Sequence, residues 1–104
     1  MVLQKVSSTK KLRKWQTGYV WLLWRFRGFV KLEEQARKTK DKGMERHWWD
    51  KRTHISTKLQ EHEQDAPKEV RIEEFTQIAL KMINNGVPPK QILEELGIRK
   101  KQKG

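Results

Sequence analysis

The residues best suited to chemistry lie in a short aromatic and basic cluster between positions 21 and 31, and their types favour binding over catalysis. The cluster consists of Trp21, Trp24, Arg25, Arg27 and Lys31. Indole faces stack on exposed nucleobases at roughly 1–3 kcal/mol per base, and guanidinium groups add phosphate or stacking contacts. The cluster is therefore the first candidate nucleic-acid contact. The alternative is that Trp21 and Trp24 pack against a second helix, on Trp48.

A second set of candidate contacts follows in the segment 46–52. On a helix Trp48 and Trp49 point 100° apart, so both cannot occupy the centre of one face. We expect Trp48 to belong to the core. Trp49, which has Arg46 and Arg52 beside it in the sequence, is the candidate contact.

Catalytic and metal chemistry find no support in the sequence. His47, His54 and His62 are seven and eight residues apart, which places them along one side of a helix but about 10–12 Å from one another. That spacing is too wide for a single metal ion. Asp50 and His54 could form a hydrogen bond, but no nucleophile accompanies them. We find no Walker loop, nucleophile elbow or HExxH motif, and therefore expect no enzyme activity, no metal and no cofactor.

The charge distribution supports a polyanionic partner. The chain has 104 residues and a formal net charge of +11, and the excess lies at its two ends around a neutral middle. Lys or Arg set against phosphate releases condensed counterions, so cationic ends predict nucleic-acid contact. The candidate residues in these ends are Lys5, Lys10, Lys11, Arg13 and Lys14 on one side, and Arg99, Lys100, Lys101 and Lys103 on the other.

Composition limits the size of the core and the class of protein. Charged residues make up 36% of the chain, well above the usual quarter, and Cys is absent. A disulfide framework and thiolate zinc sites are thereby excluded. The thin core that remains predicts a partner that covers more of the surface.

Helices are the elements that must position these residues. Residues 1–18 show no sustained periodicity, and we predict an extended or partly disordered basic arm there. Segment 19–40 can be interpreted as a helix whose apolar stripe runs from Tyr19 to Val30. Residues 25–32 can also be interpreted as a strand, because polar and apolar residues alternate over much of that stretch and Gly28 disfavours a helix interior. The strongly helix-forming residues that follow favour the helix. Gly43 is expected to end it, and a second helix over 44–64 would complete an antiparallel hairpin.

Two further helices are predicted over 67–98. Asp65 and Pro67 are suited to the start of helix three, and Asn85-Gly86 to its end. Pro88-Pro89 would begin a short fourth helix, which Gly97 would close with Ile98 folded back on it. The predicted fold is therefore all-α, with about four helices arranged as a helical hairpin (19–64) and a C-terminal helix pair (67–98), and with basic extended termini (1–18 and 99–104).

The helix pair also suggests a family. Residues 78–87 (IALKMINNGV) followed by Ile92 and Leu96-Gly97-Ile98 resemble the opening helices of helix-turn-helix domains in resolvases and transposases. The resemblance covers about 25 residues and implies DNA binding by a further helix in the major groove. Only the six residues 99–104 follow, too few for such a helix, so a simple helical hairpin fits the same residues.

Together these features predict a non-enzymatic nucleic-acid-binding protein. The favoured form is a structural subunit of a ribonucleoprotein, such as a small or organellar ribosomal protein, with RNA preferred over DNA and with protein partners in the assembly. One alternative is a DNA-binding protein of a virus or mobile element with a truncated helix-turn-helix. A second is a membrane-surface or scaffold subunit in which Trp15, Tyr19, Trp21 and Trp24 meet lipid or a protein groove. We expect an intracellular location, in the cytoplasm or an organellar matrix, because the absence of Cys argues against a secreted, disulfide-bonded protein. The N-terminal composition, which is similar to that of mitochondrial transit segments, makes mitochondria one candidate compartment.

Overall fold

The protein is all-α, as predicted, with four helices in the part of the chain that the structure describes. A computed structural model describes the backbone of residues 2–68 and 70–96 and the side chains of residues 10–68 and 70–96. The helices are α1 (Val2–Lys38), α2 (Lys42–Gln64), α3 (Ile72–Asn84) and α4 (Pro89–Leu96). Segment 19–32 is helical, which resolves the choice between helix and strand, and the described residues contain no strand. The predicted Gly97 cap, the Ile98 contact and the basic tail 99–104 lie outside the described residues.

The N-terminal segment is helical, so the prediction of an extended arm over 1–18 is wrong for residues 2–18. Leu12, Trp15, Gln16 and Tyr19 recur at three- and four-residue intervals and are all buried. Their burial by the other three helices stabilises a helix that the local sequence alone does not specify. At 1.5 Å per residue, the 37 residues of α1 span about 55 Å, which accounts for the 57 Å long dimension of the molecule.

Helices α1 and α2 form the predicted antiparallel hairpin, but its turn differs from the expected one. Lys40, with φ of 60°, takes the left-handed position after α1. Backbone bonds from Lys40 N to Arg37 O (3.1 Å) and from Asp41 N to Ala36 O (2.9 Å) close the helix end. The Asp41 side chain then accepts from Met44 N at 3.1 Å, so α2 begins at Lys42. Gly43 therefore lies in the first turn of α2 and does not end α1.

The connection from α2 to α3 is longer than predicted. Asp65 is the C-cap of α2, and its backbone N–H bonds to the carbonyls of His62 and Glu63. Helix α3 starts at Ile72 and not at Pro67, whose carbonyl instead accepts from Val70 N at 3.0 Å in a turn. The predicted start at Pro67 is wrong because Asp65, which we expected to be the N-cap of α3, is instead the C-cap of α2.

The end of α3 and the start of α4 agree with the prediction. Gly86 has φ of +83°, Gly86 N bonds to Ile83 O at 2.9 Å, and Val87 N bonds to Met82 O at 3.0 Å. These two bonds form the Schellman arrangement that an αL glycine permits. Pro89 then opens α4 at a position where its missing N–H costs nothing.

One core joins all four helices, and α1 lies at its centre. Tyr19, Val20, Leu23, Ile55 and Ile92 are among its buried members. Trp48 is half-buried, and its ring stacks on Phe29 with centroids 5.7 Å apart, whereas Met44, one turn earlier on α2, is 42% exposed. The core thus holds α1 along one side and leaves the other side to solvent.

Candidate nucleic-acid interface

The outward side of α1 carries most of the predicted contacts. At 100° per residue, seven basic or aromatic side chains between positions 10 and 31 fall within about one third of the helix circumference, opposite the buried Trp15, Tyr19 and Leu23. All seven are exposed. We call this surface the basic aromatic face, and it consists of Lys10, Arg13, Lys14, Trp21, Trp24, Arg25 and Lys31.

The two tryptophans of this face are surface residues, not core residues. Trp21 is 44% exposed and Trp24 is 43% exposed. Their rings meet edge to face, with centroids 6.2 Å apart and planes inclined by 66°. The alternative in which they pack on Trp48 does not hold, since Trp48 stacks on Phe29. An indole pair held on one helix and open to solvent is suited to receiving flat aromatic groups.

The face carries cations without neutralising acids. No Asp or Glu occurs before Glu33 in the sequence. Among the residues with described side chains, the ion pairs involve only Glu33, Arg37, Glu45 and Arg52. The five cations of the basic aromatic face therefore have no acidic partner in that part of the chain. From Lys10 to Lys31 they extend over about 32 Å along the helix axis.

The remaining candidates are distributed more widely. Lys11 is exposed on α1 outside the face, and half-buried Arg27 donates from Nε to Asn84 Oδ1 at 2.9 Å, so it ties α1 to α3. Lys5 belongs to α1, but its side chain lies outside the described set. The tail candidates Arg99, Lys100, Lys101 and Lys103 lie outside the described residues.

The three candidate contacts on α2 differ in exposure and in ion pairing. Trp49 and Arg46 are exposed and, with Lys42, border a cleft of about 480 Å³ beside Glu33 and Glu45. Arg52 instead points inward, and its Nε lies 2.6 Å from Glu33 Oε1. Because that carboxylate already neutralises its guanidinium, Arg52 is a structural residue of the hairpin and not a free cation.

The position of α1 depends on contacts between distant residues that the sequence did not predict. Trp15 Nε1 donates to His62 O at 2.7 Å, and His62 Nε2 lies 2.8 Å from Trp15 O. One turn further along α1, the Tyr19 hydroxyl donates to Glu63 Oε2 at 2.7 Å and lies 3.0 Å from Thr76 Oγ1. Burial, followed by the bond to Glu63, raises the pKa of Tyr19 from 10.0 to about 12.

This set of bonds fixes the rotation of α1. Trp15 and Tyr19 stack with ring centroids 4.7 Å apart, and both face α2. Since neighbouring positions on a helix turn by 100°, holding these two rings inward turns Trp21 and Trp24 outward. Trp15 and Tyr19 are buried, so the membrane or groove alternative retains only Trp21 and Trp24 of its four aromatic residues.

The described residues contain no group of three or more His, Asp or Glu side chains that could hold a metal ion. The His62 imidazole is hydrogen-bonded to the Trp15 carbonyl oxygen and not to another histidine. In the part of the chain that the structure describes, no helix is long and apolar enough to cross a membrane.

Comparison of the chain with protein-family models, with curated proteins and with solved structures yields no match.

Proposed function

We propose that this protein is a non-catalytic RNA-binding subunit of a ribonucleoprotein and that it binds RNA through the basic aromatic face of α1. The observation that carries the proposal is the coincidence of two exposed indoles and five cations, which have no acidic partner among the described side chains, on one side of one helix. Cations provide salt-dependent attraction to phosphates, and indoles provide stacking on unpaired bases.

The distribution of apolar surface favours RNA over lipid. A helix that lies in a membrane interface buries a whole apolar face among the acyl chains. The apolar face of α1 is already covered by the other helices, through Trp15, Tyr19, Val20 and Leu23. Among the described side chains on the side that carries the cations, Trp21 and Trp24 are the large apolar groups that are exposed.

The shape of the protein supports a place within a larger assembly. The molecule measures 57 × 25 × 18 Å, so most of its residues lie close to the surface. Docking on other components would supply burial that so thin a core lacks. Ile78, a large apolar residue of α3 that is 42% exposed, supports contact of the C-terminal helix pair with protein.

The test is a titration of fluorescently labelled RNA with the full chain and with the variant Trp21→Ala/Trp24→Ala. We expect the double variant to bind roughly tenfold or more weakly, since each stacked base is worth about 1–3 kcal/mol. Ile78→Ala is the matched control, because it removes a similarly exposed apolar side chain on α3, outside the face. Its affinity should be unchanged.

Three results would contradict the proposal. Equal RNA affinity of the double variant and the wild type would show that Trp21 and Trp24 do not contribute to RNA binding. Tighter binding to DNA of the same sequence would favour the DNA-binding alternative. A blue shift of tryptophan fluorescence on phosphatidylserine vesicles, without any RNA binding, would favour the membrane-surface alternative.

A further inference from the structure

Two glycines lie inside α1, and their surroundings differ. A Cβ built at Gly18 would come within 2.9 Å of His62 Cε1, so the imidazole occupies the space that a side chain would need. A Cβ built at Gly28 would have nothing within 4 Å. Gly18 is therefore required by internal packing, whereas no neighbour within the described part of the protein requires Gly28.

Gly28 lowers the stability of a helix that would otherwise favour Ala at this position, because glycine loses more backbone freedom on folding. Its φ lies outside the left-handed region, so backbone conformation does not require glycine either. Gly28 thus destabilises the helix, and no contact within the described part of the protein requires it. A partner that approaches this side of α1 would explain why glycine is present.

The position of Gly28 on α1 indicates which surface such a partner would contact. Gly28 lies in the middle of the arc that defines the basic aromatic face. Its neighbours one turn before are Trp24 and Arg25, and its neighbours one turn after are Lys31 and Leu32. The missing side chain leaves a notch of bare backbone among an indole, two cations and a leucine.

We propose that this notch is the point of closest approach for a single-stranded RNA, whose sugar-phosphate backbone rests against Gly28 while an adjacent base stacks on Trp24. This inference rests on the proposed function and specifies the form of RNA and its position. The cations on either side, Arg25 and Lys31, then lie where the flanking phosphates need them.

The indoles favour a single strand over a duplex. In a duplex both faces of each base are covered by neighbouring bases, so an indole has no base face to stack on. Trp21 and Trp24 each keep more than two fifths of their surface open, and their edge-to-face arrangement leaves ring faces free. Stacking on unpaired bases uses that surface, whereas contact with duplex phosphates leaves it unused.

Gly28→Ala separates this inference from a general role in folding. The variant should raise the melting temperature, since Ala is the better helix former and meets no neighbour. It should weaken binding to a single-stranded RNA roughly tenfold, comparable to the loss of one stacked base, because the methyl group fills the notch. Gly43→Ala is the matched control: Gly43 is another helical glycine, in α2, whose Cβ would meet only Asp41 Oδ1 at 3.7 Å.

The control should also raise the melting temperature but leave RNA affinity unchanged. Unaltered affinity of Gly28→Ala, together with weakened binding by Trp21→Ala/Trp24→Ala, would overturn the notch and leave the proposed function standing. Unaltered affinity of both variants would overturn the proposed function itself. Equal affinity of the wild-type chain for a single strand and for a duplex of the same sequence would overturn the assignment to single-stranded RNA.

Discussion

Trp15 and His62 exchange hydrogen bonds between the side chain of each and the backbone of the other. The indole Nε1 donates to the His62 carbonyl at 2.7 Å, and the imidazole Nε2 lies 2.8 Å from the Trp15 carbonyl oxygen. The two rings also stack, with centroids 5.1 Å apart. Gly18 makes this possible, because any larger residue there would displace the imidazole. The pair fixes α1 against α2 both in rotation and along the helix axis.

The first prediction concerns this packing. Gly18→Ala should lower the free energy of unfolding by about 1–3 kcal/mol, as expected for overpacking, even though alanine is the better helix former. The Cβ would sit 2.9 Å from His62 Cε1, and moving the ring away would break its bond to Trp15 O. Urea unfolding followed by circular dichroism measures the change.

A double-mutant cycle with His62→Ala tests the cause. With the imidazole absent, Gly18→Ala should no longer destabilise the protein and should recover the gain expected from helix propensity. An equal loss in both backgrounds would show that the destabilisation has another origin.

The second prediction concerns the pH dependence of stability. Tyr19 has a folded pKa of about 12 against 10.0 for a free tyrosine, because its hydroxyl is buried and bonded to Glu63. The folded state therefore keeps its proton where the unfolded state loses it. This contribution to stability is complete below pH 10 and is lost as the pH rises towards 12.

Tyr19 is the single tyrosine in the chain, so ultraviolet absorbance of tyrosinate reports on it alone. The native protein should titrate near pH 12, and the urea-unfolded protein near pH 10. Lysines titrate in the same range, so Tyr19→Phe is needed as the reference. Its deficit in stability, about 1–2 kcal/mol at neutral pH from the lost hydrogen bonds, should shrink as the pH rises from 10 to 12. A native midpoint near pH 10 would contradict the burial of the hydroxyl.

Local chemistry explains which parts of the fold could be predicted from the sequence. The end of α3 at Asn85-Gly86 and the start of α4 at Pro89 follow from an αL glycine and an N-terminal proline, both of which act within one turn. The helical state of residues 2–18 could not be predicted in this way. It depends on Trp15 meeting His62, 47 residues away, and no local signal encodes that contact.

In the candidate interface, too, the sequence predicts the features that depend on local geometry but not those that depend on contacts between distant residues. Helical spacing alone places four of the candidate residues on one side of α1, namely Trp21, Trp24, Arg25 and Lys31. The pairing of Arg52 with Glu33 depends on how the hairpin aligns, and that alignment depends on a three-residue turn with Lys40 in a conformation usually adopted by glycine. Sequence reasoning grouped Arg52 with Trp49 because it could not supply that alignment.

The third prediction compares the two arginines that hold Glu33. The Glu33 side chain is buried, and the Arg52 side chain is 29% exposed against 60% for Arg37. Arg52→Ala should therefore cost about 1–3 kcal/mol of stability, since it leaves the buried carboxylate with a single weaker partner, whereas Arg37→Ala should cost less than about 1 kcal/mol. Thermal unfolding of both variants checks the order, and a larger loss for Arg37→Ala would contradict the assigned roles.

The last prediction concerns the charges of the basic aromatic face. Lys14 and Lys31 lie seven residues before Trp21 and seven residues after Trp24, so both should contact phosphates of an RNA that follows the helix. For a single strand, each phosphate contact contributes about 0.7 to the slope of log affinity against log salt concentration. Lys14→Gln/Lys31→Gln should therefore reduce the magnitude of that slope by about 1.4, with the helix intact by circular dichroism. Lys58→Gln/Lys68→Gln changes the net charge equally at exposed positions outside the face, and it should leave the slope near the wild-type value. Equal reductions in both pairs would mean that RNA responds to the overall charge of the protein and not to this face of α1.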